Sequence, residues 1–121
     1  MKKEITIDGT VYVPKYSVLS SDAPEMDGLE YKIVRTYSAG VFAGYLESQD
    51  GKEVVLRQAR RLWYWDGAAS LSQLAMEGVS KPENCKLPCE VDSIILTEAV
   101  EVIPCTEEAR ENIANVKIWR S

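Results

Sequence analysis

Alternating apolar and polar residues, interrupted by turn residues, run through the middle of this chain and constrain its fold more than any other feature. Residues 31–37 alternate in this way, a Ser-Ala-Gly break follows, and residues 41–47 form a second strand-like run. Gly44 within that run favours a bulge or a close backbone approach. The sequence Gln-Asp-Gly-Lys at 49–52 is typical of a hairpin turn, and residues 53–58 form a third run. The pattern predicts an antiparallel sheet.

Residues 60–65 either continue the third strand or begin a fourth, and a helix is predicted directly after them. Asp66 precedes a segment in which Ala68, Leu71 and Leu74 share one helical face, so we expect Asp66 to be the N-cap. Gly78 is a natural residue to end this helix, because glycine adopts the left-handed conformation that helix ends favour.

The C-terminal third combines strand and helix signals. Residues 91–103 are mostly apolar and β-branched, and they form either one long strand or two short strands with a break near Thr97. Thr106 is expected to cap a short helix at 107–114, and residues 116–119 are expected to form a last strand. The predicted class is α+β, a mostly antiparallel β-sheet with one or two short helices and an N-terminal β-hairpin arm.

The N-terminal segment is predicted to be distinct from the main domain. Residues 5–14 alternate on both sides of Asp8-Gly9, which is typical of a hairpin, and a lone hairpin is marginal in water. Residues 20–28 have the composition of a linker. We therefore divide the chain into a hairpin and possible oligomerisation arm at 1–19 and an α+β ligand-binding domain at 29–121. The alternative is a loop on one compact domain.

Composition excludes several kinds of chemistry. The 121 residues include no histidine, so Ser-His and Cys-His nucleophile pairs are absent. The three cysteines, Cys85, Cys89 and Cys105, are expected to be free, buried thiols, since a structural zinc site usually has four Cys or His ligands. A net charge of −5 argues against binding to nucleic acid polymers, and no apolar run reaches the length of about 18 residues that a membrane span needs. We expect no cofactor, no metal, no membrane partner and a cytoplasmic location.

Residues 57–67 are the strongest candidate for a functional segment. Three arginines are followed at once by Trp63, Tyr64 and Trp65, and then by the predicted helix start. Guanidinium groups hold phosphates bidentately, aromatic faces stack on bases, and free N–H groups at a helix start accept anions. The alternative is that the two tryptophans fill the core while the arginines pair with surface acids. We expect arginine-to-alanine substitutions here to leave stability nearly unchanged.

Further polar residues outside this segment suit the same ligand chemistry, although singly each is typical of a solvated surface. The candidate ligand-binding residues are Arg57, Arg60, Arg61, Tyr64, Arg35, Lys81, Asn84 and Arg110.

Two sequence strings resemble a known family. RTYSAGVFAG at 35–44 and ARRLWYWDGAASLSQLA at 59–75, followed by GVSKP at 78–82 and VDS at 91–93, are similar to the phage anti-defence sponge family of the first Thoeris anti-defence protein. The resemblance covers roughly residues 29 to 115.

This resemblance implies a phage-encoded protein that binds a cyclic nucleotide immune signal without degrading it. The ligand implied is glycocyclic ADP-ribose, with cyclic oligonucleotides held in separate pockets by some members. It also implies a homo-oligomer, dimer or hexamer, acting in the infected bacterial cell. Two alternatives remain open: an enzyme that uses carboxylates such as Asp66 and Glu77, and a structural or protein-binding phage module with no small-molecule ligand.

Overall fold

The computed structural model describes residues 28–120 and confirms the α+β class, with a five-stranded antiparallel sheet and two helices. The predicted N-terminal hairpin lies outside the described residues. The elements in chain order are β1 (Glu30–Thr36), β2 (Val41–Asp50), β3 (Glu53–Arg61), α1 (Leu71–Glu77), a 3-10 turn (Pro82–Asn84), β4 (Val91–Leu96), β5 (Ala99–Pro104) and α2 (Glu107–Asn115).

Strands β1, β2 and β3 pair in chain order as an antiparallel meander, in agreement with the predicted antiparallel sheet. Ile33 pairs with Ala43, and Asp50 pairs with Glu53 across a two-residue turn in which Gly51 has a φ of 60°. That left-handed value explains the glycine at this position. All three predicted strands are confirmed.

A bulge distorts the β2–β3 ladder at Gly44. Here β3 contains one more residue than β2, and Gln58 adopts a left-handed φ of 50°, which is uncommon for a residue with a side chain. A Cβ atom on Gly44 would lie 3.0 Å from both the Ala59 Cα and the Arg57 carbonyl oxygen. The predicted bulge and close backbone approach at Gly44 are therefore both present.

The sheet is rolled so that its two edges converge at one end. The strand order is β4-β3-β2-β1-β5, so β4 and β5 occupy opposite edges, yet only Thr97 and Glu98 separate them along the chain. Three Cα steps reach about 11 Å, whereas four strand spacings in a flat sheet would separate the edges by about 19 Å. The predicted run at 91–103 is thus two strands, and their short connection requires the curvature.

Rolling the sheet buries both of its faces. One core lies inside the roll and includes Val34, Phe42 and Leu56, while the other lies between the sheet and the helices and includes Ile33 and Leu74. Adjacent residues of β1 therefore enter different cores, as alternating side chains require.

The first helix begins later than predicted. Its N-cap is Ser70, whose hydroxyl accepts a hydrogen bond from the Gln73 N–H, so the prediction of Asp66 as N-cap is wrong. Gly67 has a φ of 99° and keeps the chain out of the helical conformation just after Asp66. Gly78 ends the helix as predicted.

The second helix begins at Glu107 with Thr106 as its cap, as predicted, and it holds the end of α1. The Asn112 side chain accepts a hydrogen bond from the Val79 N–H at 2.8 Å and donates one to the Val79 carbonyl at 2.9 Å. The last strand predicted at 116–119 is reduced to a single parallel bridge between Leu87 and Ile118. No helix within residues 28–120 is long and apolar enough to cross a membrane.

Candidate functional site

The aromatic residues after β3 divide between core and surface. Trp65 is half-buried and packs against the core beneath the helices. Trp63 is 62% exposed and Tyr64 is 51% exposed. Exposed aromatic side chains of this kind are available to stack against a ligand or a partner.

Tyr64, Lys86 and Trp119 form a cluster that we call the junction surface. Tyr64 and Lys86 are paired by two backbone hydrogen bonds of 3.2 and 2.7 Å, so their side chains lie side by side. The Lys86 ammonium lies over the Trp119 ring, 5.7 Å from its centroid. Trp119 is 45% exposed and donates its backbone N–H to the Leu87 carbonyl at 3.0 Å. The Lys86 side chain therefore has Tyr64 as its cross-bridge neighbour and the Trp119 ring beneath its ammonium.

The loop that carries two predicted site residues lies against the same segment. The Asn84 amide donates to the Asp66 carboxylate at 3.0 Å, and the Cys85 thiol accepts a contact of 3.4 Å from the Asp66 N–H. A Cβ atom on Gly67 would lie 2.6 Å from the backbone nitrogens of Ser80 and Lys81. Tyr64, Lys81 and Asn84 are thus brought into one region by the packing of these two loops.

A groove adjoins the junction surface. Its volume is about 440 Å³, and Trp119 belongs to both. Cations and an acid lie on opposite sides, with Lys117 and Arg120 on the C-terminal segment and Glu83 on the 3-10 turn. The lining residues are Pro82, Glu83, Cys85, Lys117, Ile118, Trp119 and Arg120.

Sequence reasoning missed the C-terminal wall of this groove. Its signal in the sequence is a Lys-Ile-Trp-Arg string at 117–120, which places two cations around a tryptophan. That string was interpreted only as a last strand, and its neighbours across the groove are more than thirty residues away along the chain.

Two of the predicted arginines of β3, Arg57 and Arg61, make their contacts with residues outside the junction surface. Arg57 lies cross-strand from Tyr45 and is 3.7 Å from the Glu47 carboxylate. Arg61 stacks over the Phe42 ring at 4.5 Å and donates to the Ala39 carbonyl at 2.7 Å. Arg61 also borders a small cavity of about 210 Å³ whose other lining residues are mostly apolar.

Arg60 lies inside the protein and is 3% exposed. Its guanidinium donates to the carbonyls of Leu87, Pro88 and Ile113 at 3.0, 2.9 and 2.7 Å. Burial lowers the pKa of Arg60, since desolvation penalises the charged form. The expectation that substituting Arg60 leaves stability nearly unchanged conflicts with this burial, because its side chain ties β3 to a loop and to α2.

The two remaining predicted residues lie on other elements. Arg35 on β1 forms a 2.7 Å ion pair with Glu101 on β5. Arg110 lies half-buried on α2, and its Nε has no hydrogen-bond partner among residues 28–120. Neither residue is joined to the junction surface by a hydrogen bond or ion pair in the described part of the chain.

The three cysteines are free and differ in burial: Cys105 is buried, Cys85 is half-buried and Cys89 is exposed, so the expectation of three buried thiols is wrong for Cys89. Burial raises the pKa of the Cys105 thiol to about 12. Within residues 28–120, no group of three or more His, Cys, Asp or Glu side chains is arranged to hold a metal ion.

One comparison with known proteins gives a family. A family model described as a domain of unknown function, DUF6948, matches residues 29–113, more than half of the chain and nearly all of the sheet and helices. No curated protein and no solved structure matches the chain. The chain therefore belongs to the DUF6948 family.

Proposed function

We propose that this protein binds and sequesters a cyclic nucleotide signal at the junction surface without degrading it. The ligand proposed is glycocyclic ADP-ribose, as the resemblance to the anti-defence sponge family implies. The setting that follows is the cytoplasm of an infected bacterial cell, where a phage-encoded sponge of this kind blocks the host's defence. The sponge family also implies a homo-oligomer, and this belongs to the proposal.

One observation carries the proposal: Tyr64, Lys86 and Trp119 are all exposed, Lys86 is bridged to Tyr64 through the backbone, and its ammonium lies over the Trp119 ring. An adenine ring stacks on such aromatic faces, with a gain of about 1–3 kcal/mol per base in related systems. The ammonium supplies a point charge for a phosphate group. A base and a phosphate on one ligand match this arrangement.

The residues around the junction surface favour binding over turnover. The two carboxylates considered for catalysis, Asp66 and Glu77, lie on different segments, and each has a neighbouring amide as a partner. The Asp66 carboxylate accepts the Asn84 amide, and Glu77 lies on α1, where its carboxylate accepts a 3.4 Å contact from Gln73. A carboxylate held by a structural hydrogen bond positions a loop.

Isothermal titration of the full chain with glycocyclic ADP-ribose tests the proposal. A sponge that competes with an effector needs a dissociation constant of about micromolar or lower, which corresponds to about −8 kcal/mol. Tyr64→Ala and Lys86→Ala should each weaken binding at least tenfold, whereas Tyr37→Ala, which removes an exposed tyrosine elsewhere, should leave it unchanged. Absence of binding by the folded wild-type chain at micromolar ligand would refute the proposal.

The released ligand distinguishes a sponge from an enzyme. After incubation and denaturation of the complex, a sponge returns the same mass of ligand with unchanged chromatographic retention. Recovery of a hydrolysed product in proportion to time would favour the enzyme. A folded chain that binds no cyclic nucleotide would instead favour a structural or protein-binding module, since exposed aromatic residues also occur at protein interfaces.

A further inference from the structure

We infer that residues 117–120 form a phosphate-binding wall, so that the groove between this segment and the 3-10 turn is the part of the site that selects the ligand. This inference rests on the proposed function and deepens it. The groove has a volume of about 440 Å³. Pockets for small molecules fall in the range of about 300–1,000 Å³. The family match ends at residue 113, so this wall lies beyond the matched part of the chain.

The charges across the groove are unequal. Lys117 and Arg120 contribute two cations to one wall, while Glu83 contributes one carboxylate to the other. A ligand phosphate is attracted to the first wall and repelled by the second. Glu83 can accept hydrogen bonds from a ribose hydroxyl or a base amino group. The groove therefore matches a ligand with its phosphates on one side and its hydrogen-bond donors on the other.

Trp119 connects the groove to the junction surface, because its ring lines the groove and also receives the Lys86 ammonium. A base stacked at Trp119 brings its attached phosphates within reach of Lys117 or Arg120 on the same segment. The base and the phosphates of the ligand then contact the same four consecutive residues. The ligand class is therefore a nucleotide that carries at least one pyrophosphate or phosphodiester.

Both walls are held in place by the protein itself. The Trp119 N–H donates to the Leu87 carbonyl, and Ile118 forms a bridge with Leu87, which is fully buried. On the opposite wall, the Cys85 N–H donates to the Pro82 carbonyl at 3.2 Å. A wall that is ordered before the ligand arrives loses less conformational entropy on binding.

The test uses the full chain and two probes, glycocyclic ADP-ribose and adenosine diphosphate. Lys117→Ala and Arg120→Ala should each weaken binding by about tenfold, since each removes a charge-assisted hydrogen bond. Trp119→Ala should weaken binding by roughly tenfold to a hundredfold, with part of the affinity retained in Trp119→Phe. Tryptophan fluorescence of the wild-type chain should change when ligand is added. This change should be lost in both Trp119→Ala and Trp119→Phe.

Matched controls separate these effects from general changes in charge or aromatic content. Lys52→Ala removes an exposed lysine from the β2–β3 turn, and Tyr37→Ala removes an aromatic side chain that is 81% exposed and directly follows β1. Both controls should bind like the wild-type chain. Thermal unfolding of each variant verifies that it is folded.

The outcomes distinguish this inference from the proposed function. If the Lys117, Arg120 and Trp119 variants bind glycocyclic ADP-ribose as tightly as the wild-type chain does, the inference is overturned and the proposed function stands. No binding of glycocyclic ADP-ribose, together with Trp119-dependent binding of adenosine diphosphate, would refute the proposed signal and support the groove. Failure of both probes to bind would overturn both.

Discussion

Arg60 provides the sharpest test of how this fold is stabilised. Its guanidinium makes three hydrogen bonds to backbone carbonyls, and each hydrogen bond of a charged group contributes about 1.5–3 kcal/mol. Arg60→Ala removes all three. Removal of the charge also removes its desolvation cost, which offsets part of the loss.

Two of the three carbonyls keep another donor after the substitution. The Leu87 carbonyl also accepts from the Trp119 N–H, and the Ile113 carbonyl accepts from the Val116 N–H at 3.3 Å. The Pro88 carbonyl has no second backbone donor among residues 28–120. We therefore expect Arg60→Ala to lower the free energy of unfolding by about 3 kcal/mol, which is less than the three contributions added together because two carbonyls keep a donor and the desolvation cost is removed.

Urea unfolding followed by circular dichroism measures this change, and a loss of that size lowers the melting temperature by about 10 °C. Arg61→Ala is the matched control, because Arg61 is exposed and makes one backbone hydrogen bond. It should change the free energy of unfolding by less than about 1 kcal/mol. If Arg60→Ala is as stable as Arg61→Ala, the buried guanidinium does not stabilise the fold and the reasoning is wrong.

Three further predictions concern the backbone and pH. Gly78→Ala should destabilise by at least about 1 kcal/mol in urea unfolding, because its φ is 77° and an added Cβ would collide with Asn112. Gln58→Gly should raise the melting temperature, because the left-handed φ costs a residue with a side chain about 1 kcal/mol and glycine adopts it freely. Burial raises the Cys105 pKa from 9.0 to about 12. The contribution of the neutral Cys105 thiol to the free energy of unfolding is therefore complete below pH 9 and is lost as the pH rises towards 12. Unfolding in urea at pH 10 should show a loss of about 1 kcal/mol, and Cys105→Ala should remove most of that dependence.

The meander was predictable because its signals are local. Alternation within each strand and the glycine at position 51 specify β2, β3 and the turn between them without reference to the rest of the chain. The closure of the sheet is different. It pairs Ile33 with Ile103, seventy residues away, and no local pattern identifies which edge each of the last two strands joins.

The start of α1 has two candidate N-cap residues close together in the sequence, and the prediction chose the wrong one. Asp66 and Ser70 are both good N-cap residues, and only Ser70 has a glutamine three positions later. The Gln73 side chain accepts a hydrogen bond from the Ala69 N–H, which completes an arrangement similar to a capping box. The Ser-x-x-Gln spacing outweighs the aspartate because Gly67 turns the chain before the helix begins.

The candidate site was predictable only in part. The sequence singled out Tyr64 by its aromatic neighbours, but it contained no indication that Arg60 is buried except its position two residues before Leu62. Trp119 joins Tyr64 through Lys86, and this juxtaposition depends on a bridge between segments that are distant in the chain. Three-dimensional packing, and not residue type, determines that Arg60 is buried while Tyr64 and Trp119 are exposed.

The short connection between β4 and β5 has a consequence for the order of events during synthesis. Until residues 91–104 leave the ribosome, β1 and β3 each present an open edge whose backbone groups have no strand partner within the described fold. Open edges of this kind favour pairing with other chains. Because one connected pair of strands covers both edges, the vulnerable period should end in a single late step, and nascent chains truncated before residue 91 should be far more prone to aggregate than those that extend past residue 104.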